Sequence, residues 1–338
     1  MQKLFLQTLH GYLVGEILST STFIQPVQAT IEKVEALMRA QADERHPDLR
    51  VAFENLLAAG GKRVRPTLVL LTGNMLGADP ERLVILAAAI EMLHTATLVH
   101  DDLIDGSLMR RGNETLNAKW TPAATVLTGD FVFARAAKLA AQTGSLSVME
   151  EFAETLAIMV NGELTQMFDS RGLVSRENYY ERIYAKTGSL FELSTHGAAI
   201  ISPVDKEMNE KARIFGRKLG TAFQIMDDIL DFTGEQATVG KPVGSDLLHG
   251  LVTLPALYYV ESNPEDKNVQ TLLTGNYHNT AQMTELIEAI RRSDAIALAL
   301  KEAKQYAADA LETLNGQPKS EERIALEKLT EYITNREI

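Results

Sequence analysis

The stretch His94-Thr95-Ala96-Thr97-Leu98-Val99-His100-Asp101-Asp102-Leu103-Ile104-Asp105 closes an apolar run on three aspartates, and Phe223-Gln224-Ile225-Met226-Asp227-Asp228-Ile229-Leu230-Asp231-Phe232 repeats the device. In both, the carboxylates stand at i, i+1 and i+4, so on a helix the first and third share one face a turn apart. Like charges at that spacing destabilise a helix, aspartate is a weak helix former, and negative charge at a helix C-terminus opposes the helix dipole. Two such clusters beside apolar sequence therefore need a compensating cation. Carboxylate oxygens suit a hard divalent ion, and Mg²⁺ is commonly held by a few carboxylates together with substrate phosphates. A solvated helix terminus accounts for one copy as well as a metal does; two copies with identical spacing favour the metal. Many helices around a central cavity would set the two aspartate ends face to face.

The surrounding sequence is helical in pattern. Apolar residues recur at helical spacing over 22–45, Pro47 opens a second helix that reaches Ala59, and Gly60-Gly61 ends it. Further helices are predicted over 66–76, 80–105, 123–143, 146–168, 176–201 and 205–232, and again from Thr253 onward. Pro is scarce, and Ala, Glu, Lys, Arg and Gln fill most polar positions, residues that lose little on entering a helix. The fold class expected is all-α, a single-domain multi-helix bundle around a central cavity spanning 1–338. Residues 263–266 and Gly275-Asn276 read as surface turns within it, and no segment has linker composition. The absence of cysteine excludes disulfides, thiolate metal sites and a cysteine nucleophile. A net charge of -12, from 33 Lys and Arg against 45 Asp and Glu, argues against nucleic-acid partners and against anionic lipid. Residues 4–18 are apolar but interrupted by Gln7, His10, Gly11 and Glu16, so they lack the form of a signal segment or membrane span. They read as a packing or dimer-contact helix, with peripheral membrane contact at most. Cytoplasmic residence is the default expectation.

Basic residues accompany the aspartates. Gly60-Gly61-Lys62-Arg63-Val64-Arg65-Pro66 places three cations beside a turn and near a helix N-terminus, a setting that suits a diphosphate. Solvated loop charges are the plainer reading of that segment alone. His94 lies two helical turns before Asp101, and Arg110 and Arg111 follow the first aspartates. A lone histidine in an apolar helix is more often a satisfied core group; this company gives His94 a ligand role. Lys186, Thr187, Gln224 and Lys241 carry little individually.

Together GGKRVRP at 60–66, HTATLVHDDLID at 94–105, MRRG at 109–112, KTGSLF at 186–191, and FQIMDDILDF at 223–232 followed by GKPVGSDL at 240–247 resemble the trans-isoprenyl diphosphate synthases, or polyprenyl synthetases. The resemblance covers 60–255 and includes Gly162-Glu163-Leu164-Thr165-Gln166. It implies the isoprenoid synthase type of fold, usually a homodimer, with three Mg²⁺ ions bridging the aspartates to an allylic diphosphate. Asp101, Asp105 and Asp227 would be direct ligands, with Asp102, Asp228 and Asp231 supporting or bound through water. Lys62, Arg65, His94 and Arg111 would hold isopentenyl diphosphate; Arg110, Lys186, Thr187, Gln224 and Lys241 would hold the allylic diphosphate. Developing charge on the leaving diphosphate would be stabilised by the ions and cations, while an apolar cavity would shelter the allylic carbocation. One departure stands out: Leu251 occupies a position that is Lys or Asn in many relatives, which removes an allylic-diphosphate contact.

Short-chain members of the family place an aromatic floor four or five residues before the first aspartate, where this chain has Ala96 and Thr97. Growth past fifteen carbons toward Leu93 and Ile90 is therefore expected, each five-carbon unit contributing on the order of 4 kcal/mol if fully buried. Phe131 or Phe133 would set the depth, or else be ordinary core aromatics. A heptaprenyl to decaprenyl product follows, with farnesyl or geranylgeranyl as the shorter alternative. A terpene cyclase would normally replace the second aspartate cluster and lack the GGKRVRP site. A regulatory subunit of a heteromeric synthase would be expected to lose one cluster, although an intact catalytic chain can still require a partner. A ferritin-like bundle would need Glu and Glu-x-x-His motifs.

Overall fold

The computed structural model describes residues 21–42, 47–58, 61–110, 112–169, 175–234, 243–273 and 279–335. The helix expected over 4–18, Gly60, Arg111, Lys241 and the turn at Gly275-Asn276 lie outside the described residues. α1 (Gln28–Arg39), α2 (Pro47–Ala58), α3 (Val64–Met75) and α4 (Pro80–Ile104) come first. A two-stranded antiparallel ribbon, β1 (Met109–Arg110) and β2 (Asn113–Glu114), leads to α5 (Pro122–Gln142) and α6 (Leu146–Asp169). α7 (Arg176–Ile183), α8 (Ser189–Ile200) and α9 (Lys206–Thr233) follow, then α10 (Leu254–Ser262), α11 (Lys267–Leu273), α12 (Thr280–Arg292), α13 (Ala295–Glu312) and α14 (Glu321–Thr334).

Two long helices organise the packing. α4 lies along α5 and against α1, α3 and α8, while α9 lies along α8 and α13. One core, including Phe23, Leu68, Leu86, Val132, Phe191 and Leu329, fills the space among the N-terminal helices, α8 and α14. A second, including Tyr179, Ile225, Ile229, Leu257 and Ala303, joins the C-terminal half of α9 to α7 and the helices after Thr253.

The aspartates owe their placement to how α4 starts and stops. Asp79 caps it, accepting from the amides of Glu81 and Arg82 at 3.0 and 2.9 Å, and Pro80 sits where a missing N–H costs nothing. Among the described residues α4 is the helix long and apolar enough to cross a bilayer, yet residues 86–90 are wholly buried inside the protein. It ends at Gly106, whose φ of 62° is open to glycine at little cost. There the amides of Gly106 and Ser107 satisfy the carbonyls of Leu103 and Asp102 at 3.2 and 2.8 Å, leaving Asp101 and Asp105 at the helix end.

Two expected helices are interrupted. The run expected over 22–45 consists of one turn at Ser21–Ile24, a 3-10 turn at Gln25–Val27, α1, and a second 3-10 turn at Ala40–Ala42. Pro26 accounts for the first break, since it has no amide hydrogen and its ring clashes with the preceding turn. The helix expected over 176–201 opens into a π turn at Tyr184–Gly188. Helices press on that turn at backbone distance: a Cβ on Gly220 of α9 would lie 2.9 Å from Gly188 Cα and 2.8 Å from Phe191 Cβ, and one on Gly162 of α6 would lie 2.5 Å from Ala185 Cβ. Gly220→Ala is accordingly expected to destabilise the fold by about 1–3 kcal/mol through overpacking. Gly197→Ala, whose added Cβ meets Leu86 at an ordinary 3.4 Å, is expected to be neutral or stabilising. Denaturant unfolding of the two variants checks the contrast.

Candidate active site

A cavity of about 560 Å³ opens between α4, α5, α6, the π turn and α9. One end is charged, with Arg65, His94, Asp101, Arg110, Lys186 and Asp227 on its wall. The rest is apolar, formed by side chains such as Leu98, Phe133, Met159, Leu164 and Phe223. Size and character both match sites that bury a small molecule by an apolar body and orient it by a few polar groups.

The charged end is under electrostatic tension. Burial pushes the Asp101 carboxyl up to about 6; Lys186 pulls it down, while Glu163 and Asp105 push it further up. Burial also opposes charge on Lys186, but Glu163, Asp101, Asp105 and Asp246 together hold its ammonium above the ordinary lysine range. Its Nζ stands 3.6 Å from Glu163 Oε1. The π turn carries Lys186 and Thr187 into the wall between α6 and α9.

The other aspartates are engaged by the protein. Asp102 accepts from Arg110 Nε at 2.8 Å, which ties the β1–β2 ribbon to the end of α4. Asp228 is buried between Tyr179, whose hydroxyl donates to Oδ2 at 2.7 Å, and Gln224, whose Nε2 donates to Oδ1 at 2.9 Å. Thr187 in turn donates to Gln224 Oε1 at 2.6 Å. Burial pushes Asp228 up to about 7, against the hydrogen bonds from Gln224 and Tyr179. Asp231 accepts from the amides of Ser245 and Asp246, both at 3.2 Å, and from the Ser245 hydroxyl at 3.1 Å. It thereby docks the single turn Ser245–Leu248 on α9.

The remaining expected residues divide. Arg65 faces the cavity with its guanidinium 5.1 Å from the centre of the Phe191 ring, whereas Lys62 lies outside the lining, 5.1 Å over the Tyr332 ring. Asp105 is exposed beyond the lining, and Gln224 stands behind it. Thr97 lines the cavity, but Ala96 and Leu93 do not: both are wholly buried in the core. The helical period explains the division, since His94, Thr97, Leu98 and Asp101 share the stripe of α4 that faces the cavity. Phe133 lines the cavity with its ring 5.3 Å from that of His100, and the pair closes the wall on the side of α5.

Sequence reasoning missed Tyr179, His100 and the role of the π turn. Tyr179 gives no sign in a single sequence. Gly188 inside a helical pattern was a usable signal for the turn. Gly129 marks His100, since a Cβ there would lie 2.2 Å from the imidazole Nε2.

Asp101, Glu163 and Asp227 present hard oxygen donors to the cavity, a set that suits Mg²⁺. Among the described residues no three carboxylate or imidazole groups converge on a complete cage. Mg²⁺ sites completed by water and substrate phosphate do not need one. A carboxyl whose pKa is raised on folding costs stability in full above its folded pKa, and that cost fades as pH falls from the folded value to the unfolded one. In EDTA, Asp101→Asn is therefore expected to stabilise the protein at pH 8 and to lose that advantage progressively as pH falls from about 6 toward the ordinary 3.8, measured by denaturant unfolding.

Residues 46–290 match the polyprenyl synthetase family. Component 2 of the heptaprenyl diphosphate synthase of Geobacillus stearothermophilus is 38% identical over 319 residues, 94% of this chain and 98% of that protein. The crystal structure of a polyprenyl synthase from Caulobacter crescentus CB15, complexed with calcium and isoprenyl diphosphate, superposes with a TM-score of 0.87 at 35% identity, over 95% of this chain and 98% of that one. Heptaprenyl diphosphate synthase from Staphylococcus aureus gives 0.87 at 36% identity, covering 92% and 99%. The chain belongs to the polyprenyl synthetase family and is a trans-prenyltransferase that elongates prenyl diphosphates.

Proposed function

We propose that this chain condenses isopentenyl diphosphate head-to-tail with an allylic diphosphate, repeatedly, to give a long all-trans polyprenyl diphosphate. The observation that carries the reading is a single cavity with a charged end and an extended apolar wall. Asp101, Asp105 and Asp227 are the residues that would hold Mg²⁺, three ions being expected with bound diphosphate, and Asp102, Asp228 and Asp231 fix the helix ends that present them. Bound there, Mg²⁺ supplies positive charge that stabilises a departing diphosphate. Arg110, Lys186, Thr187 and Lys241 grip that same group, with Gln224 acting through Thr187. Lys62, Arg65, His94 and Arg111 hold isopentenyl diphosphate.

The allylic C–O bond breaks with its electron pair passing to the diphosphate. The isopentenyl double bond supplies the pair for the new C–C bond, and a proton then leaves for the released diphosphate. Leu98, Phe133 and Phe223 keep water from the cation meanwhile. The calcium and isoprenyl diphosphate bound by the Caulobacter relative, and the heptaprenyl synthases among the relatives, support the substrate class and the long product.

A second copy of the chain covers α5 and α6, where Leu127, Leu164, Met167 and Phe168 are 68, 46, 50 and 75% exposed. An apolar strip of that kind marks a protein contact. The relative named as component 2 favours a second reading, in which a different subunit occupies this face. Cytoplasmic residence and a single domain over 1–338 complete the proposal.

The chain alone, given Mg²⁺, labelled isopentenyl diphosphate and geranylgeranyl diphosphate, is expected to yield a product ladder ending at thirty-five carbons or beyond. EDTA should abolish it and Asp101→Ala should reduce it at least about a hundredfold. A ladder that stops at twenty carbons removes the long-chain assignment, and activity that appears only with a second subunit selects the heteromeric reading. Light scattering is expected to report a dimer that Phe168→Glu converts to a monomer.

A further inference from the structure

Arg63 is the one residue other than glycine with a positive φ among those described, at φ 47° and ψ 36°. It sits between Lys62 and Arg65, yet its guanidinium is engaged elsewhere. Nε donates to Glu35 at 2.9 Å, Nη1 to Glu91 at 3.0 Å, and Nη2 to the Leu57 carbonyl at 3.2 Å. Those partners lie on α1, α4 and α2, and the arginine and Glu91 side chains are only 11 and 7% exposed. Its own carbonyl receives both the amide and the hydroxyl of Thr67, at 3.0 and 2.8 Å, which starts α3. A guanidinium already matched by two carboxylates is a poor anion ligand. Its planar fork is suited instead to holding separate elements in register.

The register matters because Glu91 lies one turn before His94 on α4. A bond from Arg63 to Glu91 fixes the 61–66 loop relative to the imidazole that shares the cavity wall with Arg65. We propose that Arg63 is a positioning residue for isopentenyl diphosphate, gripping Glu35 and Glu91 so that the loop carrying Lys62 and Arg65 keeps its placement relative to His94. The inference rests on the assignment of that diphosphate to these three residues.

Calorimetry of isopentenyl diphosphate binding, without any second substrate, tests it apart from turnover. Arg63→Lys keeps the charge and loses the fork; Glu91→Gln keeps the shape and loses the charge. Both are expected to weaken isopentenyl diphosphate binding about ten- to a hundredfold, the scale of a small misplacement, and to leave KM for the allylic substrate within roughly twofold. On a Lys62→Ala background the Arg63→Lys effect is expected to shrink, because the two residues act through one loop. Unchanged binding, or equal losses for both substrates, would overturn the proposal. So would a loss of thermal stability with the ratio of the two affinities intact, which would make Arg63 merely structural. If wild-type protein binds isopentenyl diphosphate but makes no product, the reaction assignment fails and the test of Arg63 still stands. If wild-type protein does not bind it, both fall.

Discussion

Negative charge that cannot be fully hydrated is the constraint on which this bundle depends. Two helices drive aspartates into the rim of a cavity whose walls are mostly hydrocarbon, and burial is the largest of the influences that take Asp101 up to about 6. Relief comes from a few sources, because desolvation of a carboxylate is repaid only by nearby positive charge and well-aligned donors. Lys186 is the strongest built-in source, and its position depends on a helix that opens into a π turn. That turn in turn depends on glycines that let α6 and α9 approach it. A local electrostatic demand thus reaches through backbone geometry into the packing of the central helices.

The two aspartate triplets are alike in spacing and unlike in use. In the first, Asp101 faces the cavity while Asp102 anchors Arg110 and the ribbon. In the second, Asp227 faces the cavity while Asp228 joins Tyr179 to Gln224 and Thr187, and Asp231 caps a turn that begins fourteen residues away in sequence. Each triplet therefore has one carboxylate facing the cavity and an adjacent one bonded to another part of the protein. Adjacent positions on a helix diverge by about a quarter turn, so the doubled aspartate can serve both purposes without competing for the same space.

The aspartate spacing, the helix-forming composition and the Pro and Gly boundaries made the all-helical fold legible in the sequence, and α4 shows why. Its Asp79-Pro80 start and Gly106 stop are written in local backbone chemistry and need no tertiary context. The charged end was legible for a similar reason, since the residue types needed to bind diphosphate are few and the sequence gathers them in short segments. What stayed hidden depended on packing. Pro26 and Gly188 were visible, but whether a helix absorbs such a residue or breaks depends on what presses against it. Tyr179 is an aromatic on a helix face until Asp228 is brought to its hydroxyl. Leu93 and Ala96 lie within a turn of cavity residues, and only the rotation of α4 about its axis sends them into the core instead.

That rotation bears on where a growing chain can go. The stripe of α4 that reaches the cavity ends against the packed core, and His100 with Phe133 closes the wall beside it. Val126, Val160, Leu164 and Met167 also line the cavity, and each is between 40 and 50% exposed. The hydrocarbon wall is consequently continuous with the apolar surface of α5 and α6. A dry reaction centre and room for a long product make opposite demands, one for enclosure and one for an opening. An opening covered by a second subunit, as proposed for α5 and α6, would satisfy both, since the neighbouring chain would restore the enclosure that these helices leave incomplete.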